Sequence, residues 1–340
     1  MSPEYEASAI LLRRAALQHG LAGQAALEGE FVPRAKVFLA EARELQLAAH
    51  RADVRGGEVA RLRSDAIDIL IDALFLRAGS AAATLSLVAT GGYGRAELCP
   101  LSDIDLLVLV PRHSAATKAL VEAILYPLWD LGLKVGQSVR TVTESTNYAK
   151  DDLHLHVALL ETRHLCGSPE LFAQLEAKTA ALLSGQAWKP FARAIVESQR
   201  KRREKAGGSA YLQEPDLKNG VGALRDVQGC VWIARTARNG VGPAGLAASG
   251  FLPAVDLQKF EEAKQVLLRL RCELHFQVTR PTEQLSLERQ DTMSAALGFT
   301  GTLTQRIGGM MRQYFDAADH VRRCAEIGRA SCRERVYVLV

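Results

Sequence analysis

GGYGRAELCPLSDIDLLVLV, residues Gly91 to Val110, decides how the rest of the chain is read. Its second half, Ile104 to Val110, is apolar apart from Asp105 and reads as a strand. Just before it, TLSLVA (Thr84 to Ala89) alternates apolar and polar residues and then meets Gly91-Gly92, a strand ending in a tight turn. Glycines in that position let backbone N–H groups approach a polyphosphate closely, because no Cβ intervenes. Asp103 and Asp105 stand at i and i+2, so their side chains share one face. A glycine turn or a D-x-D pair alone has an ordinary structural explanation as a turn or a solvated strand end. Together they place two acids at the head of an apolar strand, which costs several kcal/mol if buried without a positive partner. A divalent metal is the simplest such partner, and Mg²⁺ suits hard oxygen ligands that it bridges to substrate phosphates.

Working outward, Ala115 to Leu131 has helical spacing and KVGQSVRTV (Lys134 to Val142) alternates as a third strand. From Glu4 to Gly79 the chain is rich in Ala, Leu and Arg with apolar residues three and four apart, which predicts helices with a break at Gly56-Gly57. After Glu144 the pattern predicts helices over 151–165, 169–183, 189–205, 224–238, 256–278 and 303–326, with loops over 207–222 and 239–253. The expected organisation is an N-terminal helical segment (1–66), an α/β domain (67–167), a helical domain (168–326) and a tail (327–340). The tail IGRASCRERVYVLV breaks the preceding periodicity, is similar to vector-derived read-through, and is expected to lie outside the native fold.

Composition excludes several classes. The 340 residues carry 42 Lys+Arg against 38 Asp+Glu, a net charge of +4, and no apolar run reaches the roughly 18 residues of a membrane helix. The acidic start (Glu4, Glu6) is unlike a secretory signal, so a cytoplasmic protein with no membrane partner is expected. Six cysteines without a C-x-x-C pair predict reduced thiols rather than a zinc site or disulfide framework. RKRREK (Arg200 to Lys205) has no interleaved aromatics and is expected to be a solvated helix, not a nucleic-acid site.

The string G-G-x(10)-D-x-D resembles the nucleotidyltransferase superfamily that includes DNA polymerase β. The fuller GGYGRAELCPLSDIDLLVL is similar to the bacterial PII uridylyltransferase/uridylyl-removing enzymes. Three more segments match that family in order: Leu128 to Glu144, Leu159 to Gly167 and Tyr211 to Gln228. The resemblance implies an α+β fold, a small mixed-sheet polymerase-β-like nucleotidyltransferase domain flanked by an N-terminal helical segment and a C-terminal helical domain. It implies transfer of UMP from UTP to a tyrosine of the PII signalling protein, with release of pyrophosphate. Asp103 and Asp105 would hold Mg²⁺, Gly91 and Gly92 would seat the triphosphate, Ser102 would offer a hydroxyl, and Arg95 would stabilise the leaving group or else pair with Glu97 or a nearby acid. The superfamily's usual third carboxylate is absent from Val135 to Arg140, which leaves Glu144, Glu161 and Asp226, with Asp226 favoured and helix capping as its structural alternative. Family members continue into a hydrolase domain and glutamine-sensing domains that nothing in this sequence matches, so neither uridylyl removal nor glutamine control is expected of it. The competing readings are another transferase moving AMP or UMP, or a silent nucleotide-sensing module.

Overall fold

The computed structural model describes residues 1–237 and 254–337, so the expected loop over 239–253 and the end of the tail lie outside the described residues. The chain divides into two compact units, one of Met1–Val54 and Glu58–Thr179, the other of Arg55–Gly57 and Ala180–Val340.

The first unit begins with α1 (Pro3–Gln18), where Ser2 accepts the Tyr5 N–H at 3.2 Å, followed by α2 (Phe31–Arg51) and α3 (Gly56–Arg77), whose first two residues belong to the second unit. Strand β1 (Ser86–Ala89) then runs into a single helical turn, α4 (Gly91–Gly94). With β2 (Ile104–Leu109), β3 (Val135–Arg140) and β4 (Arg163–Gly167) it forms a four-stranded sheet in the order β3-β2-β1-β4. β1 is antiparallel to both β2 and β4, while β2 and β3 are parallel and joined by the crossover helix α5 (Ala115–Asp130). Two further helices, α6 (Val142–Asp151) and α7 (Leu153–Leu160), lead into β4. α6 starts with a capping box between Thr141 and Glu144, and α7 with Asp152 accepting the N–H groups of His154 and Leu155.

Strand alternation sorts the two faces. Ile104, Leu106 and Val108 of β2 and Leu87 and Ala89 of β1 are buried in one core with Leu12, Phe38, Ile67, Leu70, Ile124 and Leu128. The sheet and the N-terminal helices therefore share one hydrophobic core. The same alternation turns Asp105 and its register partner Gly136 to the opposite face.

Of the described elements, the expected strands and most expected helices are present. A single helix over 151–165 is not: α7 ends at Leu160, and Arg163–Gly167 becomes an edge strand on β1. RHLCG carries no alternation to reveal a strand, and its end depends on Gly167, whose φ is 89° and whose Cβ would lie 2.1 Å from the Leu85 carbonyl oxygen.

α8 (Pro169–Leu182) begins in the first unit and ends in the second. The second unit continues with α9 (Trp188–Lys205), α10 (Leu224–Ala237), α11 (Ala254–Gln277), α12 (Leu287–Ala296) and α13 (Leu303–Tyr337). α12 is not visible as a periodic pattern, and α13 stays helical past Glu326, where the sequence suggests a break. The Arg200–Lys205 run is only partly solvated: Arg200 pairs with Glu197 and Glu204 on the exposed side, while Arg202 and Arg203 turn inward to Asp226. Among the described residues no helix is long and apolar enough to cross a membrane.

Candidate active site

The α4 turn carries the glycine signature, and each of its residues has a distinct task. Gly91 has φ of 56°, and a Cβ there would stand 3.0 Å from Asp105 Oδ2. A Cβ on Gly136 would stand 2.9 Å from Asp105 Oδ1. Two glycines, one after β1 and one in β3, thus leave room for a single carboxylate. Gly94 answers a different demand, since its Cβ would come within 1.7 Å of the Glu161 carbonyl oxygen. Gly92 has open space beside it: a Cβ there would have no neighbour nearer than 3.8 Å.

Tyr93 is fully buried and donates its hydroxyl to Asp68 at 2.7 Å. Burial, reinforced by the Asp68 charge, pushes that hydroxyl well above its ordinary pKa, so it stays a donor. Asp68 also receives both terminal nitrogens of Arg163, at 2.7 and 3.1 Å. The turn is thereby pinned to α3 and β4.

Asp105 lines a cavity of about 360 Å³ together with Thr90, Gly91, Gly136, Gln137, Ser138 and Arg140. Leu107 lies on the sheet side, and Ser145 of α6 with Leu155, Ala158 and Leu159 of α7 close the other. Gly136, Ser138 and Arg140 follow the two-residue strand period and share one face of β3. The Arg140 guanidinium lies over the Tyr148 ring, 5.0 Å from its centroid. One wall therefore carries a carboxylate and a guanidinium separated by small residues.

The other residues singled out in the sequence are placed as follows. Asp103 is outside the cavity lining, half-exposed, with Lys134 Nζ at 3.0 Å from its carboxylate. An ion pair this exposed contributes about 1 kcal/mol or less, so it competes weakly with a stronger cation. Ser102 stands beside it, partly buried. Arg95 donates to Glu97 at 2.7 Å and to Glu161 at 2.6 Å, the pairing alternative rather than an open cation. Burial alone would lower its pKa, but the two carboxylates outweigh this and hold it raised. Glu161 is thus engaged by Arg95, and Glu144 by the Thr141 capping box and His113, which hold its carboxyl down to about 2.

Asp226 belongs to the second unit and has no exposed side-chain surface. Its carboxylate pairs with Arg202, takes Arg203 at 2.9 Å, and accepts the Gly222 N–H at 2.8 Å. That arrangement satisfies a buried charge from both sides and ties α9 to the start of α10.

Among the described residues no group of three or more His, Cys, Asp or Glu side chains forms a cage for a metal. Mg²⁺ does not require one, because it takes one or two carboxylates and completes its shell with water and substrate phosphates. Asp105 in its glycine cradle, with Asp103 two residues away, fits that demand. Arg140, Ser138, Gly136 and Ser145 were not evident as site residues from sequence. The signal was present in the alternation of KVGQSVRTV, but it is obscured when that strand is searched only for an acid.

A nucleotidyltransferase domain model matches residues 76–159, a span that contains every residue lining the cavity. A GlnD PII-uridylyltransferase model matches residues 190–327, within the second unit. The chain is 37% identical over 247 residues to a bifunctional uridylyltransferase/uridylyl-removing enzyme of Cereibacter sphaeroides, covering 72% of this chain and 26% of that protein. It is 35% identical over 289 residues to the protein of the same name from Bordetella avium, covering 84% of this chain and 33% of the relative. A Vibrio atlanticus protein of that name is 34% identical over 272 residues, 79% of this chain and 30% of its own. The chain thus spans about a quarter to a third of the length of the curated relatives it matches. With both domain models in sequence order and relatives of one name across most of its length, the chain belongs to the PII-uridylyltransferase family of nucleotidyltransferases.

Proposed function

We propose that this chain transfers UMP from UTP to a tyrosine of a PII signalling protein, with Mg²⁺ as cofactor and release of pyrophosphate. The observation that carries the reading is the Asp105 carboxylate, given room by Gly91 and Gly136 on the wall of a cavity inside the nucleotidyltransferase match. Asp105 and Asp103 would hold the metal, which when bound neutralises charge on the phosphates and so favours attack at phosphorus. The protein's own residues do the positioning. The Gly91-Gly92 backbone seats the phosphates, and Ser102 offers a hydroxyl to them. Arg95 keeps the turn rigid through Glu97 and Glu161, so that the carboxylate and the backbone donors hold a fixed geometry. Leu155, Ala158 and Leu159 keep one side of the cavity apolar and limit water.

The test is to incubate the chain with Mg²⁺, labelled UTP and purified PII. Label should appear on PII and pyrophosphate in solution, and Asp105→Asn should remove both while leaving the melting temperature in place. Near-wild-type transfer by that variant would overturn the assignment.

A further inference from the structure

The cavity has two chemically distinct ends. At one, Asp105 faces its register partner Gly136; Arg140 lies four residues further along the same strand. At about 3.3 Å per residue that separates the two strand positions by about 13 Å. Phosphates belong at the carboxylate end, where a divalent cation bridges them to Asp105. The Arg140 end is then left for the nucleoside.

The rest of the cavity lining suits a base. Leu107 on one side and Leu155, Ala158 and Leu159 on the other provide an apolar slot, and Ser138 and Ser145 supply hydroxyls. Arg140 is half-buried, and its guanidinium is held against the face of Tyr148, a ring that is itself 55% exposed. Stacking of this kind restricts a long side chain and aims its N–H groups. A guanidinium only donates hydrogen bonds, so it pairs with a carbonyl oxygen and not with an amino group. Uracil offers a carbonyl oxygen at position 4, where cytosine carries an amino group.

We propose that Arg140, held by Tyr148, is a specificity-determining residue that donates to the uracil 4-carbonyl and rejects the amino group of cytosine. This rests on reading the cavity as a nucleotide site, and the experiment separates the two. Binding of UTP, CTP and inorganic tripolyphosphate to the full chain is measured with Mg²⁺ by calorimetry, for wild type and for Arg140→Ala, Arg140→Lys, Tyr148→Phe and Tyr148→Leu. Wild type should prefer UTP to CTP by about tenfold or more, the scale of one hydrogen bond to a charged donor. Arg140→Ala should bring the two nucleotides within about twofold of each other while tripolyphosphate binding is unchanged. Tyr148→Phe should keep the preference and Tyr148→Leu should reduce it, because only the ring is needed to hold the guanidinium; Arg140→Lys should not restore it. If Arg140→Ala weakens tripolyphosphate as much as UTP and keeps the UTP preference, Arg140 is a phosphate contact and the inference is overturned. Equal wild-type binding of UTP and CTP overturns it as well, leaving the nucleotide site intact. Failure of wild type to bind any of the three would overturn the nucleotide-site reading itself, and the inference with it.

Discussion

Asp105 and Asp226 are both aspartates at the start of an element, and their surroundings differ in kind. Asp226 has no exposed surface and is enclosed by Arg202, Arg203 and the Gly222 N–H. Asp105 is partly exposed on a cavity wall, and two of the positions beside it are glycines where a Cβ would crowd its oxygens. The second unit surrounds its acid with counter-charge, while the first leaves space beside its acid. A buried charge enclosed by fixed arginines holds helices together, whereas a carboxylate given room can accept a ligand that arrives later.

That contrast can be broken by substitution, and the largest effect is expected in the second unit. Asp226→Ala would leave two arginines without their common partner and should destabilise the protein by about 3–5 kcal/mol. Chemical denaturation followed by circular dichroism checks this, and an unchanged midpoint with lost transfer would move Asp226 into the chemistry. Asp105→Asn should act the other way. Transfer falls about 100- to 1000-fold, the scale of losing one main electrostatic contact in a transition state, with the melting temperature unchanged.

The glycines sharpen the comparison further. Gly94→Ala would drive a Cβ against the Glu161 carbonyl backbone and should cost about 1–3 kcal/mol of stability, as overpacking does. Gly136→Ala meets only the Asp105 carboxylate, so it should lower transfer about tenfold with little change in melting. Equal loss of stability in the two variants would show that Gly136 is packing rather than clearance.

The comparison also has a pH dependence. In the second unit Glu283 accepts hydrogen bonds from Nε and Nη2 of Arg271, at 2.7 and 2.6 Å. Burial alone would raise its pKa, but Arg271 and His275 bring it down to about 2, against an ordinary value of 4.5. A depressed folded value means the stabilisation is present above about pH 4.5 and is lost as pH falls from there towards 2. At neutral pH Glu283→Gln should therefore be less stable by about 2–3 kcal/mol, and the gap should narrow below about pH 4.5 and close at about pH 2. A gap that persists unchanged at about pH 2 would mean that packing, not charge, is what the substitution removes.

The smallest effect is expected at the end of the chain. A stop after Glu326 should shift the melting temperature by no more than about 2 °C, because Cys324 and Ala325 are the last buried residues described and the family match ends at residue 327. A larger drop would show that the helical continuation to Tyr337 contributes to the fold.

Much of the first unit was legible because Ile104 to Val110 and KVGQSVRTV obey simple periodicities, and the parallel pairing of β2 with β3 follows from the helix between them. β4 was hidden because five residues on an edge need little alternation when a neighbouring strand supplies the hydrogen bonds. The D-x-D pair was legible from spacing; the division of labour within GGYGR was not. Which glycine clears a carboxylate and which admits a backbone depends on residues as distant as Gly136 and Glu161. Asp226 was ambiguous for a related reason. A polar cluster after a glycine-bearing loop looks the same in sequence whether it meets substrate or two arginines from a helix about 25 residues earlier.

The position of β4 beside β1 also governs how the first unit is made. β1 is only four residues long, and its second neighbour in the sheet emerges from the ribosome about 75 residues after it, a delay of several seconds at ordinary translation rates. Until Arg163–Gly167 arrives, the outer edge of β1 has no strand to pair with, and closing so long a loop makes its docking slow. The nascent chain therefore passes through a period in which the strand feeding the glycine turn presents an open edge, which makes this interval the natural point for chaperone contact or self-association during synthesis.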